Sequence, residues 1–244
     1  MRLFNIGLIT ALITSVTLAN SAMVFPQRAI LDSQNRTANF KVINPSSRTS
    51  QYKINIIDRI QNNEGRTETV ENYEFSAKNN IVYSPRKTIK LAENGKKPIR
   101  IKLKKYAELA DGEYRSYLNI VTDNADKSKP EGYAVAVRTG IQLPVIIRKG
   151  NLTATAKLTS AKYDDGKVAV TLHREGSRSI FGDITIRQSG VIIGESKSVA
   201  VYVESNNATY KVNTKDINPM QPISITFAEE KNSGEIEIEK DFTL

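Results

Sequence analysis

The side chains that most often perform catalysis are scarce in this chain of 244 residues. His173 is the one histidine, it lies in the alternating run Val168–Arg174, and cysteine is absent. No serine or cysteine nucleophile motif, phosphate-binding glycine loop or paired metal-ligand spacing accompanies His173. A lone histidine in a strand is structural far more often than catalytic, and the lack of cysteine excludes thiol catalysis and most structural zinc sites.

The acidic pair in Asp164-Asp165-Gly166 could bind calcium, but it lacks the spaced carboxylates of a calcium-binding loop. A hairpin turn is the better interpretation, because Asp-Gly is typical of two-residue hairpin connections. Nothing in the sequence favours hydrolysis by two carboxylates. We therefore expect a binding protein rather than an enzyme.

The net charge is +9, with the basic residues scattered among acidic ones rather than gathered in one run. This balance favours an acidic or carboxylate-bearing partner over a nucleic acid. A solvated basic surface with no dedicated partner explains the charge equally well.

The first 22 residues have the order of a secretory signal. Arg2 is followed by an apolar run from Leu3 to Leu18, and small residues follow as far as Ala22. The run is too short and interrupted for a membrane span, so we predict a signal peptide over 1–22. Cleavage after Ala19 or after Ala22 fits the pattern, and Ala22 is favoured. No later segment is apolar enough to span a bilayer.

Alternating apolar and polar residues predict strands along the rest of the chain. In the first half the predicted strands are Ala38–Ile43, Gln51–Ile57, Thr88–Leu91, Ile99–Leu103, Tyr114–Val121 and Tyr133–Ile147. The one helical stretch expected is Lys104–Ala110. The spacing of the turns predicts a seven-stranded β-sandwich that ends near Arg148-Lys149-Gly150.

The second half also consists of short alternating segments separated by turns, but it shows no detectable sequence repeat of the first half. Its predicted strands are Ala154–Leu158, Lys167–Leu172, Asp183–Arg187, Val199–Val203, Thr209–Val212, Ile223–Phe227 and Glu235–Ile238. We therefore predict an all-β protein of two tandem immunoglobulin-like β-sandwich domains, over 23–148 and 151–244.

Several segments, in order, resemble the periplasmic pilus-assembly chaperones of the chaperone–usher pathway, and the last of them resembles an archaic or alternative branch. The segments are Arg28–Asp32, Phe40–Asn44, Pro85–Leu91 with Gly95 and Pro98–Ile101, Asp111–Ile120, and Arg174–Asp183. The resemblance implies two immunoglobulin-like domains set at an angle, no cofactor, and a periplasmic location. It also implies two partners, a pilus subunit and an outer-membrane usher, because these chaperones lend a strand to subunits whose own sandwich lacks one.

The resemblance places the lending strand, or donor strand, at Gly132–Pro144, after a short loop. The residues expected to share its binding face are Tyr133, Val135, Val137, Thr139 and Ile141. The alternation alone slightly favours an internal core strand, and the resemblance reverses that preference. Pro144 cannot donate a backbone hydrogen bond, so pairing should stop or a bulge begin there.

Family members hold the carboxylate at the subunit's C-terminus with two basic residues, and Arg28 matches the first of them. The second falls on the final strand in most members, where this sequence has Gln142. Arg115, or Arg138 and Arg148 under shifted alignments, could take its place. The alternative for Arg28 is an ordinary surface arginine.

Two other functional classes compete with a chaperone. A pilus structural subunit or tip adhesin would need an extended apolar N-terminal arm, but few residues separate Ala22 from Arg28, and they include Pro26. An exported hydrolase or sugar-binding module has no support beyond the fold, and tryptophan, on which sugar-stacking sites often rely, is absent.

Overall fold

The computed structural model describes residues 21–123, 139–231 and 233–244, and the regular secondary structure in these ranges is β-strand apart from two short 3-10 turns. The strands before residue 150 are β1 (Met23–Phe25), β2 (Ala29–Leu31), β3 (Thr37–Ile43), β4 (Ser50–Gln61), β5 (Thr67–Val70), β6 (Ile81–Ser84), β7 (Lys87–Leu91), β8 (Lys96–Leu103), β9 (Gly112–Thr122) and β10 (Gly140–Lys149). The strands after residue 150 are β11 (Ala154–Asp164), β12 (Lys167–Gly176), β13 (Ile180–Gln188), β14 (Val191–Val201), β15 (Asn207–Asn213), β16 (Ile223–Glu229) and β17 (Glu237–Phe242). Within the described ranges, no helical segment has the length and apolar character needed to cross a bilayer.

The first sandwich packs two sheets around one apolar core. One sheet has the strand order β1-β3-β8-β6, and the other has the order β2-β10-β9-β4-β5, with β7 also pairing with β4. Alternation decides which residues face inward: Phe40 and Val42 of β3 are fully buried, while Lys41 between them is exposed. Burying each such apolar side chain stabilises the fold by about 1.5–3 kcal/mol.

The second sandwich contains seven strands, in sheets of order β11-β12-β15 and β14-β13-β16-β17. Val170, Leu172, Ile184 and Phe227 lie in its core, each fully buried. Its first hairpin turns at Asp165-Gly166, where both residues have positive φ angles, of 42° and 73°. That conformation is typical of the two-residue turn expected from the Asp-Gly sequence.

The last strand of the first sandwich, β10, has two differently paired edges. It pairs antiparallel with β9 over its whole length, from Gly140 to Lys149. On the other edge β2 runs parallel to it and pairs only with Val145–Ile147. Pro144 stands directly before the β2 pairing begins. Along β9, however, the ladder passes Pro144 without a bulge, so the expected interruption is wrong for that edge.

Three sequence-based expectations need correction. Lys104–Ala110 is not a helix of nearly two turns but a single 3-10 turn, Tyr106–Glu108, because Lys105 before it is left-handed and Leu109 after it is extended. The first half has ten strands in the described ranges rather than seven, since β1, β2, β5 and β6 have four residues or fewer, which is too short for a periodic signal. The last strand is Glu237–Phe242, further along than predicted.

The chain passes from the first sandwich to the second through residues 150–153. Gly150 has a φ of 82°, and a Cβ at this position would lie 2.5 Å from a carboxylate oxygen of Asp111. Glycine is therefore favoured at position 150, because it has no Cβ to clash with Asp111 and readily adopts a positive φ. The all-β, two-sandwich fold class is confirmed, while the division into domains over 23–148 and 151–244 remains a prediction.

Candidate functional site

Arg28 lies directly before β2, where the first sandwich meets the second. Its side chain is 12% exposed, and its Nη2 lies 3.4 Å from a carboxylate oxygen of Glu230. The guanidinium stacks 4.6 Å from the centre of the Phe181 ring, in a cation–π arrangement. Its Nε and Nη1 are buried without a hydrogen-bond partner among the described residues. Arg28 is therefore a nearly buried cation whose donors are only partly used.

Arg115, on β9, is more deeply buried, with a side chain 1% exposed. Its Nη1 and Nη2 donate to the two carboxylate oxygens of Glu204 at 3.0 and 2.5 Å, and Nη2 also donates to the Arg59 carbonyl. Its guanidinium stacks 3.6 Å from the centre of the Tyr202 ring. Glu204 and Tyr202 belong to the second sandwich, so this ion pair joins the two.

The same ion pair controls the protonation of Glu204. Burial alone would raise the pKa of this carboxyl group, but hydrogen bonds from Arg115 and its positive charge lower it below the usual value. Tyr73 donates its hydroxyl to Glu204 at 3.0 Å, and burial raises the pKa of that hydroxyl. The backbone N–H of Gln61 donates to Glu204 as well, at 2.8 Å. Glu204 is therefore held ionised in an extensively hydrogen-bonded site.

A second polar connection involves Arg148, at the end of β10. Its Nε donates to Glu113 at 2.9 Å, and its two terminal nitrogens donate to the carbonyls of Ser233 and Ser179. The backbone N–H and the hydroxyl of Ser179 both donate to Glu113, whose side chain is fully buried. Arg148 and Glu113 therefore pair with each other and also bind backbone or side-chain groups of the second sandwich.

Apolar side chains fill the space beside these ion pairs. Ile146 of β10 packs with Phe181, Ala200 and Tyr202 of the second sandwich, and Ile30 of β2 packs against them. Ile146 and Phe181 are fully buried. This group is a third core, separate from those of the two sandwiches, and we call it the interface core.

The predicted anchor residues differ in how far their hydrogen-bond donors are already paired. Arg28 retains unused donors and has one partly exposed carboxylate partner, whereas Glu204 already occupies the guanidinium of Arg115. Arg148 is likewise occupied, and Arg138 lies outside the described residues. Gln142 is exposed on β10 and pairs with Asn119 of β9 in the sheet register.

The predicted donor-strand residues fall only partly within the described ranges, since Tyr133, Val135 and Val137 lie outside them. Thr139 donates its N–H to the Thr122 hydroxyl and accepts the Thr122 N–H at its carbonyl. Ile141 is half-buried and packs against the core of its own sandwich. This end of the segment therefore belongs to the first sandwich.

His173, the lone histidine of the sequence, has two polar partners. The ring of His173 bonds Asn207 at 2.9 Å and Glu175 at 3.0 Å, and these two hydrogen bonds raise its pKa. Across the described residues, no three histidine, aspartate or glutamate side chains come together as a metal-binding group would require.

The sequence reasoning missed the residues that meet Arg28 and Arg115. Glu204 lies in a turn and Glu230 directly follows β16, at no diagnostic spacing, so no sequence signal identifies them. Gln61 was missed as well, although its amide donates to the Ala200 carbonyl and accepts the N–H of Tyr202. Phe181 lies within the segment Arg174–Asp183, which was identified in the sequence only by its resemblance to the chaperone family.

Comparison with solved structures identifies the fold. The chain is similar to the YadV chaperone, with 10% identity, a TM-score of 0.51, and coverage of 91% of this chain and 99% of that one. It is also similar to the CsuC–CsuE chaperone–tip adhesion subunit pre-assembly complex from the archaic chaperone-usher Csu pili of Acinetobacter baumannii. That match has 13% identity, a TM-score of 0.51, and coverage of 90% of this chain and 97% of that one.

The sequence itself matches no protein-family model and no curated protein. At these identities the structural matches establish the fold. The resemblance seen in the sequence is therefore confirmed at the level of a two-sandwich fold shared with pilus chaperones.

Proposed function

We propose that this chain is a chaperone that captures pilus subunits by lending them a β-strand and passes them to an outer-membrane usher. A subunit whose own sandwich lacks a strand would pair edge-on with Gly132–Pro144. In this proposal the chain acts in the periplasm after removal of residues 1–22, and it needs no cofactor. The similarity in fold to YadV and to CsuC, which is bound to a tip subunit, supports a client of this class.

The observation that carries the proposal is the incomplete pairing of β10. β9 follows one edge of β10 over its whole length, while β2 covers the other edge at Val145–Ile147 alone. Gly140–Pro144 therefore present a backbone edge with which no described strand pairs. An open edge is a template for an added strand. Its backbone groups would supply affinity, and alternate side chains would set the register.

Arg28 is the better placed of the two predicted carboxylate anchors. It precedes β2, the strand at which the open edge of β10 ends, and Glu230 holds it by one contact at 3.4 Å. The Glu230 side chain is 36% exposed, so it can turn towards water when a client carboxylate arrives. Arginine suits a terminal carboxylate, because its planar group can donate two parallel hydrogen bonds. Arg115 would first have to break its ion pair with Glu204.

The proposal is tested by purifying the tagged chain from a periplasmic extract of its native host and identifying bound polypeptides by mass spectrometry. We expect a complex with a pilus subunit, released when the donor strand is altered. Recovery of the chain from the periplasm with no bound subunit, while pili are being assembled, would overturn the proposal.

A further inference from the structure

On the four strands of the sheet β1-β3-β8-β6, the described residues that point outward include cations and no acidic residue. Its exposed cations are Lys41 on β3 and Lys96, Arg100 and Lys102 on β8. The other outward positions on these four strands are Met23, Phe25, Thr37, Asn39, Ile43, Val82, Ser84 and Pro98, none of them acidic. We call the four cations the basic face.

The register shows that these side chains form one continuous surface. Asn39 lies opposite Arg100, Thr37 lies opposite Lys102, and Ile43 lies opposite Lys96. Alternation sends the intervening residues inward, where Phe40, Ile99 and Ile101 are fully buried in the first core. None of the four cations forms an ion pair or a side-chain hydrogen bond with another residue in the described ranges, so all four charges are open to an external partner.

Exposed apolar groups border the basic face at β1. Phe25 lies opposite Lys41, which lies opposite Pro98, so the three form one row across the sheet. Phe25 is 49% exposed and Met23 is 47% exposed. An aromatic ring and a flexible apolar side chain thus stand beside the cations on one face of a four-stranded sheet.

We propose that the basic face binds the anionic surface of a lipid bilayer, with Phe25 and Met23 entering the headgroup region. Three of the four cations are lysines, which are depleted at protein–protein interfaces. Lysine is a compact, strongly hydrated point charge, so it suits attraction to many headgroups more than paired hydrogen bonds to one carboxylate. Each lysine or arginine near an anionic bilayer surface raises the affinity about fivefold. The proposal is independent of client capture, since the basic face lies on the sheet opposite to β10.

The proposal is tested by sedimenting the full chain with vesicles of phosphatidylglycerol and phosphatidylcholine, or of phosphatidylcholine alone. We expect binding to the anionic vesicles only, weakening as salt is added. Combining Lys41→Glu with Arg100→Glu should lower the affinity by at least about 25-fold, the product of two lost contacts. The matched control combines Lys162→Glu with Lys211→Glu, which makes the same charge change on one sheet of the second sandwich, where both lysines lie opposite Ala169.

Fluorescence then tests which surface meets the bilayer. The chain has no tryptophan, so Phe25→Trp introduces a single reporter. Its emission should shift to the blue with anionic vesicles, while Val191→Trp, at a position 64% exposed on the second sandwich, should not shift.

The proposal is overturned if the chain does not bind the anionic vesicles. That result is expected if the basic face binds an acidic protein instead. It is also overturned if both double variants lose affinity equally, or if Phe25→Trp binds without a spectral shift.

Discussion

Arg28 and Arg115 carry the same charge at the same interface, yet they differ in how strongly other residues of the chain hold them. Arg115 is held by a bidentate ion pair and stacked on Tyr202, and only its Nε lacks a hydrogen-bond partner among the described residues. Arg28 has one longer contact with Glu230 and two unused donors. A guanidinium with unused donors can gain hydrogen bonds from a ligand, whereas one that is already paired can only exchange them.

Arg28→Ala should lower client capture by about 10- to 150-fold, because a hydrogen bond to a charged group contributes about 1.5–3 kcal/mol. Arg28→Lys should fall between the wild type and Arg28→Ala, since it keeps the charge and loses the planar donor pair. Recovery of the client from periplasmic extract at moderate salt measures the effect.

Thermal melts and one further variant serve as controls for Arg28→Ala. Loss of stacking on Phe181 should itself lower the free energy of unfolding by about 1–2 kcal/mol. Glu230→Gln breaks the same ion pair but leaves the guanidinium in place, so it should retain the client. Full client recovery by Arg28→Ala would make the residue a structural arginine of the interface.

Glu204→Gln should lower the free energy of unfolding by about 3 kcal/mol, because it leaves the buried charge of Arg115 without its counterion. Arg115 lowers the pKa of Glu204 below its usual value of 4.5 in the folded protein. The unfolded chain therefore binds the proton first as pH falls, so this stabilisation is complete above about pH 4.5 and is lost as pH falls through the folded pKa.

Urea unfolding of wild type and Glu204→Gln over this pH range measures both effects. The difference in unfolding free energy between the two proteins should shrink as the pH falls. A difference that stays constant with pH would show that the charge of Glu204 does not stabilise the folded chain.

At the level of single elements, the sequence predicts strands where alternation is long and bounded by turns. β3 and β12 follow from inward residues at every second position, and the Asp165-Gly166 turn follows from its residue types. β1 and β2 have three residues each, too few for a periodic signal, so their existence depends on partners distant in sequence. The open edge of β10 was unpredictable for the same reason, since it depends on where β2 stops pairing.

Val137→Asp should leave the chain folded but unable to hold its client, because a carboxylate inserted into an apolar groove is desolvated without a partner. The desolvation of the unpaired carboxylate should cost roughly 2–7 kcal/mol of binding free energy. Ala136→Asp is the matched control, since alternation places position 136 on the opposite face of the segment. Co-purification of client with each variant, together with thermal melts, measures the outcome. Unfolding of Val137→Asp would instead assign the residue to a core strand.

At the scale of the whole molecule, the contacts between the two sandwiches could not be predicted from the sequence. Each sandwich can be predicted from patterns within a few residues, but the interface core joins Ile146 to Phe181 and Tyr202 across separate sheets. Ion pairs such as Arg115–Glu204 depend on the relative orientation of the two sandwiches, which no local pattern encodes. Buried apolar and ionic contacts together should therefore limit the relative motion of the sandwiches.

The chain purified from the periplasm of its native host should have lost its first 22 residues, because their order of charge, apolar run and small residues is that of a cleaved signal. Intact-mass measurement distinguishes cleavage after Ala22 from cleavage after Ala19. In the structure Met23 is the first residue of β1, and Ala22 is buried. A native protein that begins at Met1 would contradict the signal-peptide prediction.

Phe181→Ala should uncouple the unfolding of the two sandwiches. Phe181 is fully buried in the interface core, where it contacts the guanidinium of Arg28 and the ring of Tyr202. Its removal should cost about 3–5 kcal/mol, and the loss falls on contacts between the sandwiches rather than within one. Calorimetry should therefore show one transition for wild type and two for Phe181→Ala. The matched control is Phe227→Ala, an equally buried phenylalanine in the core of the second sandwich, which should destabilise that sandwich and leave the interface core intact. If Phe181→Ala melts in one transition like wild type, the polar connections through Arg115 and Glu113 are enough to couple the sandwiches without the interface core.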